Sequence, residues 1–97
     1  MSRFSGVAHE RIEEAILALV EERGPGKTIC PSEAARALAG SDPEAWSRLM
    51  SDIRHVSVRL MKDGRVVIRR KGRAVDPDDF KGVYRIGPAE PGARSSG

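Results

Sequence analysis

Between residues 54 and 85 this 97-residue chain carries ten Lys and Arg against four Asp, and their spacing suits contact with phosphate. Arg54, His55, Arg59 and Lys62 are separated by one, four and three positions, so on a helix they surround one side. Farther on, Arg69-Arg70-Lys71-Gly72-Arg73 puts four cations into five residues. Gly72 permits a tight turn there, and guanidinium groups can bond phosphate oxygens two at a time. Residues 1–53 instead hold six basic and nine acidic side chains, a net of −3, while residues 54–85 come to +6. The overall formal charge of +3 conceals that separation. A located basic excess is the electrostatic footprint of a nucleic-acid surface, and its affinity would depend steeply on salt. The same run would also keep an exposed sheet edge soluble, and Asp52, Asp76, Asp78 and Asp79 would repel a phosphate backbone.

Other chemistry is poorly supplied. Gly26-Lys27-Thr28 has the ending of a phosphate-binding loop, but that motif requires glycine where Glu21 stands and a strand before it. It reads as a turn between helices. The single Cys30 can form no internal disulfide and no cysteine-rich zinc site. At a helix start near Lys27 it could be a redox-responsive thiol, and equally it is a small, partly buried side chain. His9 and His55 stand far apart in the chain without metal-ligand spacing, and His55 belongs with the outward helix face. Trp46 heads an apolar stripe and reads as an anchor between helices rather than a ligand-stacking ring. Asp76-Pro77-Asp78-Asp79 suits a turn or a cap better than paired acid–base work, with weak metal binding as the lesser alternative. No catalytic, cofactor-binding or metal-ligating residue is assigned, and the chain is expected not to be an enzyme.

The elements that would carry the basic side chains follow from periodicity. Ile12, Ala15, Ile16, Leu19 and Val20 make one stripe of a helix over residues 8–23, stopped by Gly24-Pro25-Gly26. Thr28-Ile29 suits a very short extended segment. A second, short helix starts at Cys30-Pro31-Ser32-Glu33 and closes at Gly40, with proline at its first position and an acid in its first turn. Asp42-Pro43-Glu44 repeats the start signal, and Trp46, Leu49, Met50, Ile53, Val56 and Leu60 keep helical spacing as far as Lys62. Ser51-Asp52 could cap a separate helix, so this stretch is one helix or two. Asp63-Gly64 then turns the chain into a β-branched strand, residues 65–70, and Gly82-Val83-Tyr84-Arg85-Ile86 suits its returning partner.

At 97 residues, with 39% hydrophobic and 32% charged side chains, this is one small domain, too small for a large enclosed cofactor cavity. Residues 1–7 read as a loose lead-in, residues 8–86 as the folded domain, and residues 87–97, rich in Pro, Gly and Ser, as a disordered tail. No apolar run approaches the ~18 residues of a spanning helix, no secretory signal is evident, and the cytoplasm is the expected compartment.

Three or four helices followed by a two-stranded β-hairpin give an α+β chain of winged helix-turn-helix type, with the third helix placed for a DNA groove and the hairpin as the wing. Thr28-Ile29-Cys30-Pro31-Ser32-Glu33-Ala34-Ala35-Arg36, Trp46 with Leu49-Met50, Arg54, Asp63-Gly64-Arg65-Val66 and Gly72-Arg73-Ala74-Val75-Asp76-Pro77 resemble a family of small bacterial winged-helix proteins of unknown function. The resemblance covers about residues 10–86 and implies the fold but no activity. Ser51 stands where that family pattern would have proline. The expected function is duplex DNA binding, with Arg54, His55, Arg59 and Lys62 at the groove and Arg69, Arg70, Lys71 and Arg73 on phosphates. The alternative is a protein-interaction or scaffold module whose acidic first helix and basic hairpin meet complementary partners. A regulator responding to a small molecule or to redox state through Cys30 is a third reading.

Overall fold

The computed structural model describes residues 9–89. The expected lead-in, residues 1–7, and the part of the expected tail beyond Ala89 lie outside them. The chain is α+β, and its elements run α1 (His9–Arg23), α2 (Pro31–Ala39), α3 (Pro43–Ser47), α4 (Met50–Lys62), β1 (Val66–Arg70), β2 (Arg73–Ala74) and β3 (Arg85–Pro88). Four helices followed by a three-stranded antiparallel sheet, in the order β2-β1-β3, form an arrangement compatible with a winged helix. Among the described residues no helix is long and apolar enough to cross a membrane.

Local chemistry accounts for most boundaries. α1 turns Ile12, Ile16 and Val20 inward and ends at Gly24, whose φ of 99° is open to glycine and whose N–H reaches the Val20 carbonyl at 3.2 Å. α2 begins behind Cys30, an extended N-cap followed by Pro31. The Glu33 carboxylate accepts the Cys30 N–H at 3.1 Å and also pairs with Arg23, so one acid both caps α2 and ties it to α1. Burial pushes the Glu33 carboxyl up, but the Cys30 N–H and the Arg23 guanidinium outweigh this and hold it below its ordinary value. Asp42 caps α3 by accepting the Glu44 N–H at 3.2 Å.

The stretch from Pro43 to Lys62 is two helices, and the break falls before Ser51. Leu49 stands at the junction, with its N–H on the Trp46 carbonyl at 3.0 Å and its carbonyl accepting the Ile53 N–H at 2.8 Å. Its side chain is buried, so burial of an apolar residue positions the junction where a polar cap at Ser51 was expected.

The sheet departs further from the two-stranded hairpin. β1 turns tightly through Lys71 (φ 54°) and Gly72 (φ 81°) into β2, pairing Arg70 with Arg73 and Arg69 with Ala74. Positive φ at both central residues matches the twist of a two-residue hairpin. The other edge of β1 pairs with β3, Ile68 opposite Ile86 and Val66 opposite Pro88. The returning strand is therefore Arg85–Pro88 rather than residues 82–86. Gly87 and Pro88, expected to open the tail, are part of the sheet. A Cβ on Gly87 would come within 3.1 Å of Thr28 Cγ2, so the close approach of the α1–α2 linker explains the glycine there. Ile29 within that linker pairs with Ile86 and adds an isolated bridge on the far side of β3.

The core joins Ile12, Ile16 and Val20 of α1, Ala34 and Ala35 of α2, Leu49, and Ile53, Val56 and Leu60 of α4 to Val66, Ile68 and Ile86 of the sheet. Phe80 and Tyr84, from the loop between β2 and β3, close one side of it in an edge-to-face contact at 5.3 Å. The Tyr84 hydroxyl is buried and, among the described residues, has no hydrogen-bond partner. Burial pushes its pKa up to about 12, the nearby Arg54 cation opposing and Cys30 adding to the rise. Below pH 10 the phenol is neutral in both folded and unfolded chains. Between about 10 and 12 only the unfolded chain releases the proton, so stability falls across that window. Tyr84→Phe is expected to match or exceed wild-type stability at pH 7, by up to about 1 kcal/mol. Denaturant titrations at pH 7 and pH 11 should also show the variant losing less stability than wild type over that interval.

Candidate nucleic-acid interface

The inward side of α4 carries Ile53, Val56, Ser57 and Leu60, all buried. A rotation of about 100° per residue leaves Ser51, His55, Val58 and Lys62 along the opposite side, flanked by Arg59 on one hand and Arg54 on the other. Of the residues that the sequence places on this side, His55, Arg59 and Lys62 are exposed and Arg54 and Val58 are partly buried; Ser51 is exposed beside them.

The basic side chains are nevertheless engaged in different ways. Arg54 is half-buried: its Nη2 donates to the Phe80 carbonyl at 2.6 Å, and its guanidinium lies 3.9 Å from the Phe80 ring centroid. It clasps the β2–β3 loop onto α4 instead of pointing outward. The ring of His55 lies 5.3 Å from that of His9 at the start of α1, and His9 Nε2 is 3.5 Å from Asp52. Arg59 reaches Glu13 at 3.4 Å, and the other oxygen of Glu13 accepts from Arg65 at 2.8 Å. Lys62 Nζ sits 2.7 Å from Asp78. Three carboxylates from α1, α4 and the loop thus stand on or beside this helix.

The wing divides in the same way. Arg70 Nε donates to the Val83 carbonyl at 3.0 Å, and Arg69 Nη1 to the Gly72 carbonyl at 3.4 Å, so both hold the hairpin and loop in shape. Lys71 and Arg73 are exposed at the tip and, among the described residues, their side chains have no hydrogen-bond or ion-pair partner. Pairing sets Arg70 directly opposite Arg73, and Arg69 directly opposite Arg85. Like charges facing each other across strands destabilise a sheet by tenths of a kcal/mol or more, a cost that a bound anion would relieve. Arg85 spreads its charge onto Thr28, through Oγ1 at 2.9 Å and the carbonyl at 3.2 Å.

The eight residues picked out by sequence therefore fall into three sets. His55, Arg59 and Lys62 share the outer side of α4, Lys71 and Arg73 share the wing tip, and Arg54, Arg69 and Arg70 are tied to backbone carbonyls. Sequence reasoning missed Phe80, the anchor of the loop, and the counter-charges Glu13 and Asp78. The signal for Phe80 was present, an aromatic ring between Asp78-Asp79 and Lys81 in the middle of the loop.

The residues set aside on sequence grounds occupy structural positions. The Gly24–Thr28 segment is a turn, and with Val20, Arg69, Gly72 and Pro88 it borders an open groove of about 830 Å³. Cys30 is half-buried with Sγ 3.1 Å from Ser32 Oγ. Trp46 packs on the core edge beneath the Arg36 guanidinium, 5.3 Å from its centroid. Asp76–Asp79 is a turn: the Asp78 N–H bonds Asp76 Oδ1 and the Asp79 N–H bonds the Asp76 carbonyl, each at 3.0 Å.

Loss of the Arg54 clasp should loosen the β2–β3 loop before the core. Arg54→Ala is expected to cost about 1–3 kcal/mol in denaturant unfolding, the range for removing a charge-assisted hydrogen bond. Amide exchange should accelerate in residues 76–84 more than in α1. Unchanged protection of that loop would show that Arg54 does not hold it.

Comparison with curated proteins gave no match. A family model described as a protein of unknown function, DUF3253, matches residues 9–89, the span over which the four helices and the sheet are described. A match over so much of the chain makes this protein a member of the DUF3253 family.

Proposed function

We propose that the protein is a non-enzymatic module that binds nucleic acid, duplex DNA in the first instance, through the outer side of α4 and the tip of the β1–β2 hairpin. The single observation that supports this most is the hairpin tip. There the fold sets Arg70 opposite Arg73 and leaves the side chains of Lys71 and Arg73 unpaired among the described residues. A chain selected only for stability would not gather like charges at that spot, and local rules are broken most often where function requires it. On α4, Ser51, His55 and Lys62 line the side turned away from the core and are exposed, a surface on the scale that a major groove accepts. The long dimension of the molecule, 38 Å, is close to one turn of B-form duplex, so one copy would cover a single short site. The single cysteine suits a reducing compartment, and the proposed setting is a bacterial cytoplasm.

One observation favours a second reading, a protein-docking module. Val83, 80% exposed, stands among cations on the β2–β3 loop with its carbonyl held by Arg70, as an apolar contact framed by charge would.

Fluorescence anisotropy with a random-sequence duplex separates the two. Wild type is expected to bind at about 50 mM salt, with affinity falling as salt rises. Because Arg69 and Arg70 also hold the wing, the informative variant is Lys71→Ala/Arg73→Ala. It should bind more weakly on every sequence, with the logarithmic salt slope reduced by about 1.8, roughly 0.9 for each phosphate that the variant leaves unneutralised. Absence of wild-type binding at low salt would favour the docking module, and an unchanged slope in the variant would remove the wing from the interface.

A further inference from the structure

Lys62 is the last residue of α4, and its partner comes from the β2–β3 loop. Its Nζ lies 2.7 Å from Asp78 Oδ1, with the two side chains 49% and 68% exposed. An ion pair this open adds little to stability, so the fold has little need of it. The position of Asp78 is nonetheless closely fixed. Its N–H is bound to Asp76 Oδ1, and the turn closes from the Asp79 N–H to the Asp76 carbonyl with Pro77 between them. On either side the loop is fastened, by the Val75 N–H on the Ile68 carbonyl at 3.0 Å and by the buried Phe80 beneath Arg54. A carboxylate on a rigid support is thus presented to an exposed ammonium on the side of the helix that points away from the core.

Resting on the nucleic-acid reading of this surface, we propose that Asp78 is a built-in competitor for phosphate at Lys62. In the free protein its carboxylate occupies the position that a backbone phosphate would take, and a duplex gains the Lys62 cation only by displacing it. Displacement is feasible because the pair is solvent-exposed and weak. Its effect is to lower affinity for phosphate in general, so that binding depends more on the remaining contacts of α4 and the wing tip. Glu13 differs in this respect. Its side chain is only 23% exposed and it bridges Arg59 and Arg65, so it joins α1 to the start of the sheet and stays in place.

The test measures duplex anisotropy across salt concentrations from about 50 to 200 mM for wild type, Asp78→Asn, Lys62→Ala and the double variant. Glu22→Gln serves as a control that removes the same charge from an exposed position on α1. Asp78→Asn should bind at least threefold more tightly than Glu22→Gln, and the gain should vanish when Lys62 is also alanine. Matching thermal melts establish that the variants are folded. A gain that persists without Lys62 would overturn the proposal as a general charge effect. Wild-type binding with no gain in Asp78→Asn would overturn it while leaving the nucleic-acid reading intact. Binding by Asp78→Asn where wild type shows none would support it strongly. Failure of every protein to bind, Asp78→Asn included, would overturn that reading and this proposal together.

Discussion

Ile29 and Ile86 exchange both backbone hydrogen bonds, at 2.8 and 2.9 Å, with neither side chain exposed. This pair joins the two halves of the molecule. Ile29 belongs to the linker between α1 and α2, so its position sets where the first helix ends and, two residues on at Pro31, where the second begins. Ile86 lies in β3, whose other edge carries β1, and β1 in turn carries the hairpin. Opening the bridge would leave N–H and C=O groups unsatisfied in an apolar interior, at about 1–3 kcal/mol for each. The bridge thus fixes the linker of the helical layer to the sheet by backbone bonds, inside the apolar core through which α1 and α4 also pack on Val66, Ile68 and Ile86.

A second fastening, Arg54 on Phe80, acts at the periphery. The long loop after β2 would have little reason to stay against α4 on the strength of its polar residues alone. Phe80 supplies the buried area, and the Arg54 guanidinium supplies both a stacked cation and a hydrogen bond to the backbone. Once the loop is held, Asp78 reaches Lys62 and Val83 is turned outward. The basic excess of the second half of the chain is thereby divided into cations used to build the wing and cations left at its tip.

Much of the fold was legible from local pattern. The stripe of Ile12, Ile16 and Val20, the Gly24 stop, the proline-led starts of α2 and α3 and the Asp63-Gly64 turn all report short-range physics: periodic burial, missing N–H groups and the conformational freedom of glycine. Two boundaries were not legible for the same reason. Ser51 has the side chain of a cap, but Leu49 sits at the junction because the core needs an apolar residue there. Gly87-Pro88 has the composition of a tail, but the strand continues through it because Val66 and Val67 offer partners, and glycine suits position 87 because Thr28 approaches it closely.

The candidate site was legible as charge and illegible as electrostatics. The residues themselves determined that a cation-rich stretch would follow Ile53, that a helix would carry its first part, and that a glycine turn would carry its second, since each depends on neighbours a few positions away. Only the tertiary arrangement could assign the counter-charges. Glu13 is 46 positions from Arg59 and 52 from Arg65, and Phe80 is 26 from Arg54. Coulombic and hydrogen-bonding partners are chosen by distance in space, and that distance exists only once apolar burial has brought α1, α4 and the wing loop together.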